Sequence, residues 1–290
     1  MNRVEILNSW LNYIAQEDKL KVPVTNRLPI LNGYFDHVTI DETVDWATQW
    51  IKSGCRGYIC TVNVAILMMM ASDRRLQKFI NKAALVVADG KPIVWASRWL
   101  SRPLPERVTG IDLIDALAKQ SEQENFSIYL LGAKKAVIET VAARLQAKYP
   151  KLKISGVADG YFSPDEAPER VKEIRESGAN ILLVGMGVPR QEFFLEQYWS
   201  DLGVNLGLGV GGSFEVIAGQ KKRAPKFMQE LGLEWFYRLF QEPRRLWKRY
   251  LITNSRFIYC LLAELFAKAF LGNSIAYSNV SFRRAKLAVE

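Results

Sequence analysis

Short apolar runs alternate with amphipathic stretches along most of this 290-residue chain. The runs Tyr58–Val62, Ala84–Ala88, Ser127–Leu131, Ile154–Val157, Asn180–Val184 and Asn205–Leu208 read as strands. Helical spacing covers Ala65–Asn81, Ile111–Gln123, Lys135–Lys148, Pro164–Ser177 and Pro189–Ser200 between them. Strands that are apolar on both faces belong inside a parallel sheet, and the intervening helices cover its two sides. The pattern therefore predicts an α/β fold with a mostly parallel sheet. Residues 1–30 read as an N-terminal extension, with Ser9–Tyr13 suited to a short helix, and 31–225 as the α/β core. Residues 226–290 read as a basic, aromatic helical appendage in which Pro243 separates two helices.

Ligands of parallel sheets bind beyond the carboxyl ends of the strands. Five of the six strands end in polar or glycine residues: Thr61-Val-Asn63, Asp89-Gly90, Gly132-Ala133, Gly185-Met-Gly187-Val-Pro189, and Gly209-Val-Gly211-Gly212-Ser213. Such ends suit the wall of one cleft.

Asp89 follows an uncharged strand, where a carboxylate can take a proton from a hydroxyl. Asp-Gly is also a common turn signal, and on the dipeptide alone a turn or helix cap is the simpler reading. Thr61 and Asn63 share one side of an extended backbone and suit neutral hydrogen bonds to a sugar or phosphate. Asn63 equally suits a helix N-cap. Gly185 and Gly187 let a backbone approach a ligand, and Pro189 suits the first turn of a helix whose N-terminus attracts phosphate. Gln191 and Glu192 fall in that first turn, where Glu192 also serves simply as a favourable charge. Gly209, Gly211 and Gly212 repeat the arrangement, as a diphosphate cradle or a plain loop. Arg107 suits neutralisation of a diphosphate, with a surface ion pair to Glu106 or a neighbour as the plain alternative.

Composition narrows the chemistry. His37 is the only histidine and no Asp-x-Asp pair occurs, so neither a two-histidine metal site nor a carboxylate-held divalent cation has sequence support. Cys55, Cys60 and Cys260 do not make a zinc pattern and suit idle thiols. The glycine turn at 185–187 lacks the third glycine of the dinucleotide fingerprint, which disfavours NAD. The net charge of +9 sits entirely in Lys221–Glu290, which holds 14 basic and 5 acidic residues. There Arg238, Arg244, Arg245 and Arg249 are interleaved with Trp235, Phe236, Trp247 and Tyr250. That mixture suits an anionic membrane surface. A plain aromatic core helix and a single-stranded nucleic-acid surface are the other readings, the latter without a recognisable module. Phe257–Leu271 is broken by Glu264 and Lys268 and is too short to span a bilayer, and no apolar signal core precedes the body. A cytoplasmic location follows as an expectation.

Taken in order, Thr61-x-Asn63, Ala88-Asp89-Gly90, Arg107-Val-Thr-Gly110, Gly185-x-Gly187-x-Pro189-Arg190-Gln191-Glu192 and Gly209-Val-Gly211-Gly212-Ser213-Phe214 resemble the WecG/TagA/CpsF glycosyltransferase family. Arg223-Ala-Pro225, Gly232-Leu-Glu-Trp235-x-Tyr-Arg238 and Glu242-Pro-Arg244 extend the likeness, which runs from about Leu31 to about Tyr250. The resemblance implies a Rossmann-like core. It implies an inverting, metal-independent and cofactor-free transfer from a UDP-sugar to a polyprenyl-diphosphate-linked saccharide in bacterial surface-polysaccharide synthesis. N-acetylmannosamine, its uronic acid and glucose-type sugars are all donors within its range. It makes Asp89 the general base, with Thr61, Asn63, Arg107 and Gln191 in the active site. The glycine loops, from Gly132 to Gly212, then hold the donor together with Glu192. The Arg238–Arg249 region looks like an appendage that docks on the inner face of the membrane and closes the site. Nucleic acid is not an expected partner, and a homo-oligomer is left open. A nucleotide-dependent oxidoreductase and a non-enzymatic membrane or nucleic-acid adaptor are the competing functions.

Overall fold

The computed structural model describes residues 25–271, so the helix expected at Ser9–Tyr13 and the end of the basic tail lie outside the described residues. All six expected strands form, as β3 (Gly57–Val62), β4 (Leu85–Ala88), β5 (Ser127–Gly132), β6 (Lys153–Ala158), β7 (Ile181–Gly185) and β8 (Leu206–Gly209). They make one parallel sheet in the order β4-β3-β8-β7-β5-β6. β4, β7 and β8 are buried at every position, which is why they carry no polar alternation.

Helices cover both faces. α1 (Ile40–Lys52), α5 (Gly110–Glu124) and α6 (Lys135–Lys148) pack on one side, with Trp46, Leu113, Ile114 and Val141 in that core. α2 (Val64–Met70), α3 (Arg74–Asn81), α4 (Lys91–Trp99), α7 (Ala167–Glu176) and α8 (Arg190–Tyr198) pack on the other. The single helix expected over Ala65–Asn81 is two. The Asp73 carboxylate accepts from the amides of Arg75 and Leu76, so it starts α3 afresh after α2 ends at Met70.

A hairpin of β1 (Arg27–Ile30) and β2 (Gly33–Asp36), absent from the sequence expectations, sits beside β4. Its first strand overlaps the stretch read as the 1–30 extension. Asp36 anchors it: the buried carboxylate accepts from Arg27 Nε at 3.0 Å and from the Val86 amide at 2.6 Å. Arg27 in turn donates to the Ala83 and Ala84 carbonyls. Two four-residue strands, each with a charged residue at one end, give little periodicity to read.

After the sheet come α9 (Ser213–Ile217), α10 (Lys226–Glu230), α11 (Glu234–Gln241) and α12 (Pro243–Leu271). Pro243 opens α12, as expected of a residue whose missing N–H is harmless in a first turn. α12 runs 29 residues and packs along α2, burying Phe257, Cys260 and Leu261 in the core. Its far end is pinned to the end of α4: Glu264 meets Arg102 at 3.3 Å, and Lys268 donates to Ser101 Oγ at 2.7 Å and the Leu100 carbonyl at 3.1 Å. No helix of the described residues is long and apolar enough to cross a membrane.

Candidate active site

The carboxyl ends of β3, β4, β7 and β8 open into a cleft roofed by α11 and α12. Its larger part is a cavity of about 620 Å³, lined by Thr61, Asn63, Asp89, Arg107, Gln191 and Arg238 among others. A second space of about 260 Å³ adjoins it over Gly185, Gly187 and Arg245. Asn63, Gly211, Gly212, Arg238, Arg249 and Tyr250 line both, so the two are compartments of one cleft.

Asp89 lies on the cleft floor at the end of β4. Its amide donates to the Val62 carbonyl at 2.9 Å, which extends the β3–β4 ladder by one residue. Gly90, not Asp89, takes the N-cap position of α4, and no hydrogen bond to the Asp89 carboxylate occurs among the described residues. The cap reading therefore does not describe this residue. Burial pushes its pKa up to about 6, opposed by Arg238 and Arg107 and aided by Glu234 and Asp112. A carboxylate with that value is ionised near neutral pH and is basic enough to take a hydroxyl proton.

Arg107 stands on the segment between α4 and α5. The Val108 amide binds the Ala88 carbonyl at 2.9 Å, holding that segment beside Asp89. Arg107 Nη1 donates to Glu234 Oε2 at 2.7 Å and Nη2 to Gln229 Oε1 at 3.3 Å. Its partner is thus on α11, whereas Glu106 accepts from the Ile40 amide at 2.7 Å. Arg238, one turn after Glu234, approaches the same carboxylate at 4.0 Å. Nearby, Arg223 grips Asp112 through two 2.6 Å bonds, tying the chain that leaves α9 to α5. Burial pushes the Asp112 pKa up, but the bonds from Arg223 and Thr109 prevail and hold it below the usual carboxylate value.

Thr61 and Asn63 face the cleft as their spacing predicts. Thr61 Oγ1 donates to the Gly209 carbonyl at 3.2 Å, and Asn63 Oδ1 caps α2 through the Ile66 amide at 3.1 Å. Asn63 is thus both a cap and part of the wall. Gln191 is buried at the cleft edge, where Oε1 accepts from the Gly211 amide at 2.9 Å and Nε2 donates to Glu192 Oε1 at 2.8 Å.

The remaining candidates divide. Gly185, Gly187, Gly211 and Gly212 line the cleft, and Gly187 and Gly211 have φ of +80° and +52°, values that favour glycine. Gly132, Gly209 and Pro189 do not line either compartment. Gly132 instead lets β5 pass close to the Gly185 backbone, and a Cβ at Gly209 would meet Gln191 Nε2 at 2.6 Å. Pro189 follows a cis peptide at the start of α8. Glu192 turns away from the cleft into the core behind Gln191, where burial pushes its pKa up to about 7. Arg249 lines both compartments and Arg245 the smaller one, while Arg244 is exposed outside them.

Glu234 joins the site without having been singled out, although it lies in a motif quoted above. Trp95 of α4 is also new to it, beside Lys91 at the strand end. The signal for α4 was present in Lys91-Pro92 followed by Ile93, Val94 and Ala96, a proline in the first turn before a helical apolar pattern. Among the described residues no group of three or more His, Cys, Asp or Glu side chains is arranged to hold a metal ion.

Comparison with known proteins identifies the family. Residues 28–270 match the model of the glycosyl transferase WecG/TagA/CpsF family. An N-acetylglucosaminyldiphosphoundecaprenol N-acetyl-beta-D-mannosaminyltransferase from Bacillus subtilis (strain 168) is 34% identical over 252 residues, covering 87% of this chain and 95% of the relative. Proteins of the same name from Bacillus spizizenii and Staphylococcus aureus (strain MW2) are 32% and 33% identical, covering 77% and 78% of this chain and 85% and 87% of their own lengths. The chain belongs to the WecG/TagA/CpsF family and is a glycosyltransferase.

Proposed function

We propose that this enzyme moves a sugar, with inversion, from a UDP-sugar to a polyprenyl-diphosphate-linked saccharide at a membrane surface. Transfer of N-acetylmannosamine to N-acetylglucosaminyl-diphosphoundecaprenol, the reaction its relatives are named for, is the first choice within that class. The observation that carries the reading is Asp89: a carboxylate with no hydrogen bond among the described residues, its pKa pushed by burial to about 6, on the floor of a cleft walled by glycine loops and arginines.

In this reading the acceptor hydroxyl gives its proton to Asp89 as its oxygen attacks the anomeric carbon. The bond from that carbon to the UDP oxygen breaks on the opposite face, and its electron pair leaves with the diphosphate. A single displacement inverts the centre. Arg107 and Arg238 leave Glu234 for the departing diphosphate, which supplies the positive charge a divalent cation provides elsewhere. Gln191 keeps the Gly211 amide in place beside the phosphates. The exposed apolar residues of α11 and α12, among them Phe240, Trp247, Leu251, Phe266 and Phe270, meet the bilayer, and the arginines meet anionic headgroups.

Incubation of the purified protein with a panel of UDP-sugars and a short-chain lipid-diphosphate N-acetylglucosamine acceptor, read by mass, tests this. One donor should give a product heavier by one sugar residue, with inverted linkage and with activity kept in EDTA. Failure of every UDP-sugar rejects the reaction. Activity lost in EDTA and restored by Mg²⁺ or Mn²⁺ rejects the role given to the arginines.

A further inference from the structure

The larger compartment is not uniform. Its inner end holds Asp89, Arg107, Glu234 and Arg238, but it continues outward as an apolar arm between α4 and the second half of α12. Trp95 and Trp99 form one wall of the arm, and Ile258, Leu261, Leu262 and Leu265 the other. A sugar or nucleotide would leave its hydroxyls unpaired against such walls, which disfavours either as the occupant. The outer residues Trp99, Ile258 and Leu262 are more than half exposed, so the arm is open. Leu251, Tyr259, Phe266 and Phe270 continue the same apolar stripe along the outside of α12.

We infer that this arm binds the first isoprene units of the lipid acceptor. The inference rests on the function proposed above and adds to it a second binding element, made by α4 and α12. Its occupant follows from continuity at both ends. The inner end meets the arginines that suit a diphosphate, and the outer end meets the apolar face of α12. A chain threaded through the arm passes from bilayer to reaction centre without exposing hydrocarbon to water. Glu264 and Lys268 hold the wall in position by fixing α12 to Arg102, Leu100 and Ser101 at the end of α4.

The test uses the full chain without vesicles. Calorimetric titration with inorganic pyrophosphate, geranyl diphosphate and farnesyl diphosphate, each below its aggregation limit, reads the contribution of the chain. Affinity should rise from pyrophosphate to farnesyl diphosphate by about 100-fold, the scale of several newly buried methylenes. Trp99→Ala and Leu262→Asn should each reduce that gain about ten-fold. Phe270→Ala, on the outer stripe beyond the arm, should weaken co-sedimentation with phosphatidylglycerol vesicles and leave farnesyl diphosphate binding unchanged. Equal affinity for pyrophosphate and farnesyl diphosphate, or a gain that survives both arm substitutions, overturns the inference. UDP titrated into the same samples separates the two claims, because a chain that binds farnesyl diphosphate but not UDP keeps the arm and loses the proposed reaction.

Discussion

Arg107 Nη1 and Glu234 Oε2 meet at 2.7 Å inside the cleft, with side chains only 12% and 18% exposed. That pair links the segment beside Asp89 to the first turn of α11. It sets the guanidinium over the cleft, and in the proposed reaction an incoming diphosphate would take the place of the Glu234 carboxylate. Partial burial makes the pair more than a surface contact, and loss of either partner leaves the other charge poorly solvated.

Arg107→Ala should lower kcat/KM by about 10²–10³-fold, the scale for removing one group that stabilises charge in the transition state. Arg107→Lys should recover only part of this, since an ammonium does not reproduce the two-pronged contact. Steady-state kinetics on both variants checks the order.

Asp89→Asn should cost about 10²–10⁴-fold in turnover while the protein stays folded. It should also stabilise the protein. Raising a carboxyl from 3.8 to about 6 disfavours its charged form by an amount on the order of 3 kcal/mol, and the asparagine removes that charge. Thermal unfolding at pH 7.5 should show a higher midpoint for the variant. Wild-type turnover in Asp89→Asn would exclude the base assignment.

The rate should climb as pH rises through about 6 and then level, because only ionised Asp89 takes a proton. Glu234 helps to raise that pKa. Glu234→Gln should therefore move the acid limb to lower pH, and a limb that stays in place or moves up contradicts the coupling.

Glu192 gives a separate signature in stability. Its carboxyl holds a proton up to about pH 7 when folded, against 4.5 as the ordinary value. The folded state thus binds more protons than the unfolded state in that interval. Stability should fall as pH rises from about 4.5 to about 7 and show no further change from this group above it. Denaturant unfolding of Glu192→Gln across that range should lose this component of the slope, since the amide still accepts from Gln191.

Phe266→Asp with Phe270→Asp should reduce sedimentation with anionic vesicles and leave the unfolding midpoint within experimental scatter, as both side chains are exposed on α12. Retained sedimentation would move the membrane contact elsewhere. Raising salt should weaken what binding remains, because the arginines act through a screened field.

Buried parallel strands are legible because a run such as Leu85–Ala88 must be apolar on both faces, and each expected strand formed within one or two residues of its predicted ends. The hairpin of β1 and β2 was not legible, since its stability comes from Asp36 reaching Arg27 and Val86, contacts 9 and 50 residues away in sequence. The division of Ala65–Asn81 turned on one side chain: Asp73 caps a new helix, and periodicity alone runs straight through it.

At the site, the chain order by itself determined which residue types stand at the strand ends, because a parallel sheet delivers every such end to one edge. Thr61, Asn63, Asp89, Gly185 and Gly211 reach the cleft for that reason. Only the tertiary structure decided the rest. Gln191 and Glu192 are neighbours on α8, yet one faces the cleft and the other the core, because helical geometry turns successive side chains about 100° apart. Arg107 found its partner 127 residues away rather than next door at Glu106. The burial of Asp89 and the charge that Arg238 and Glu234 set around it, and so its pKa, depend on how α11 folds back over the sheet, a long-range packing that no local pattern of residues encodes.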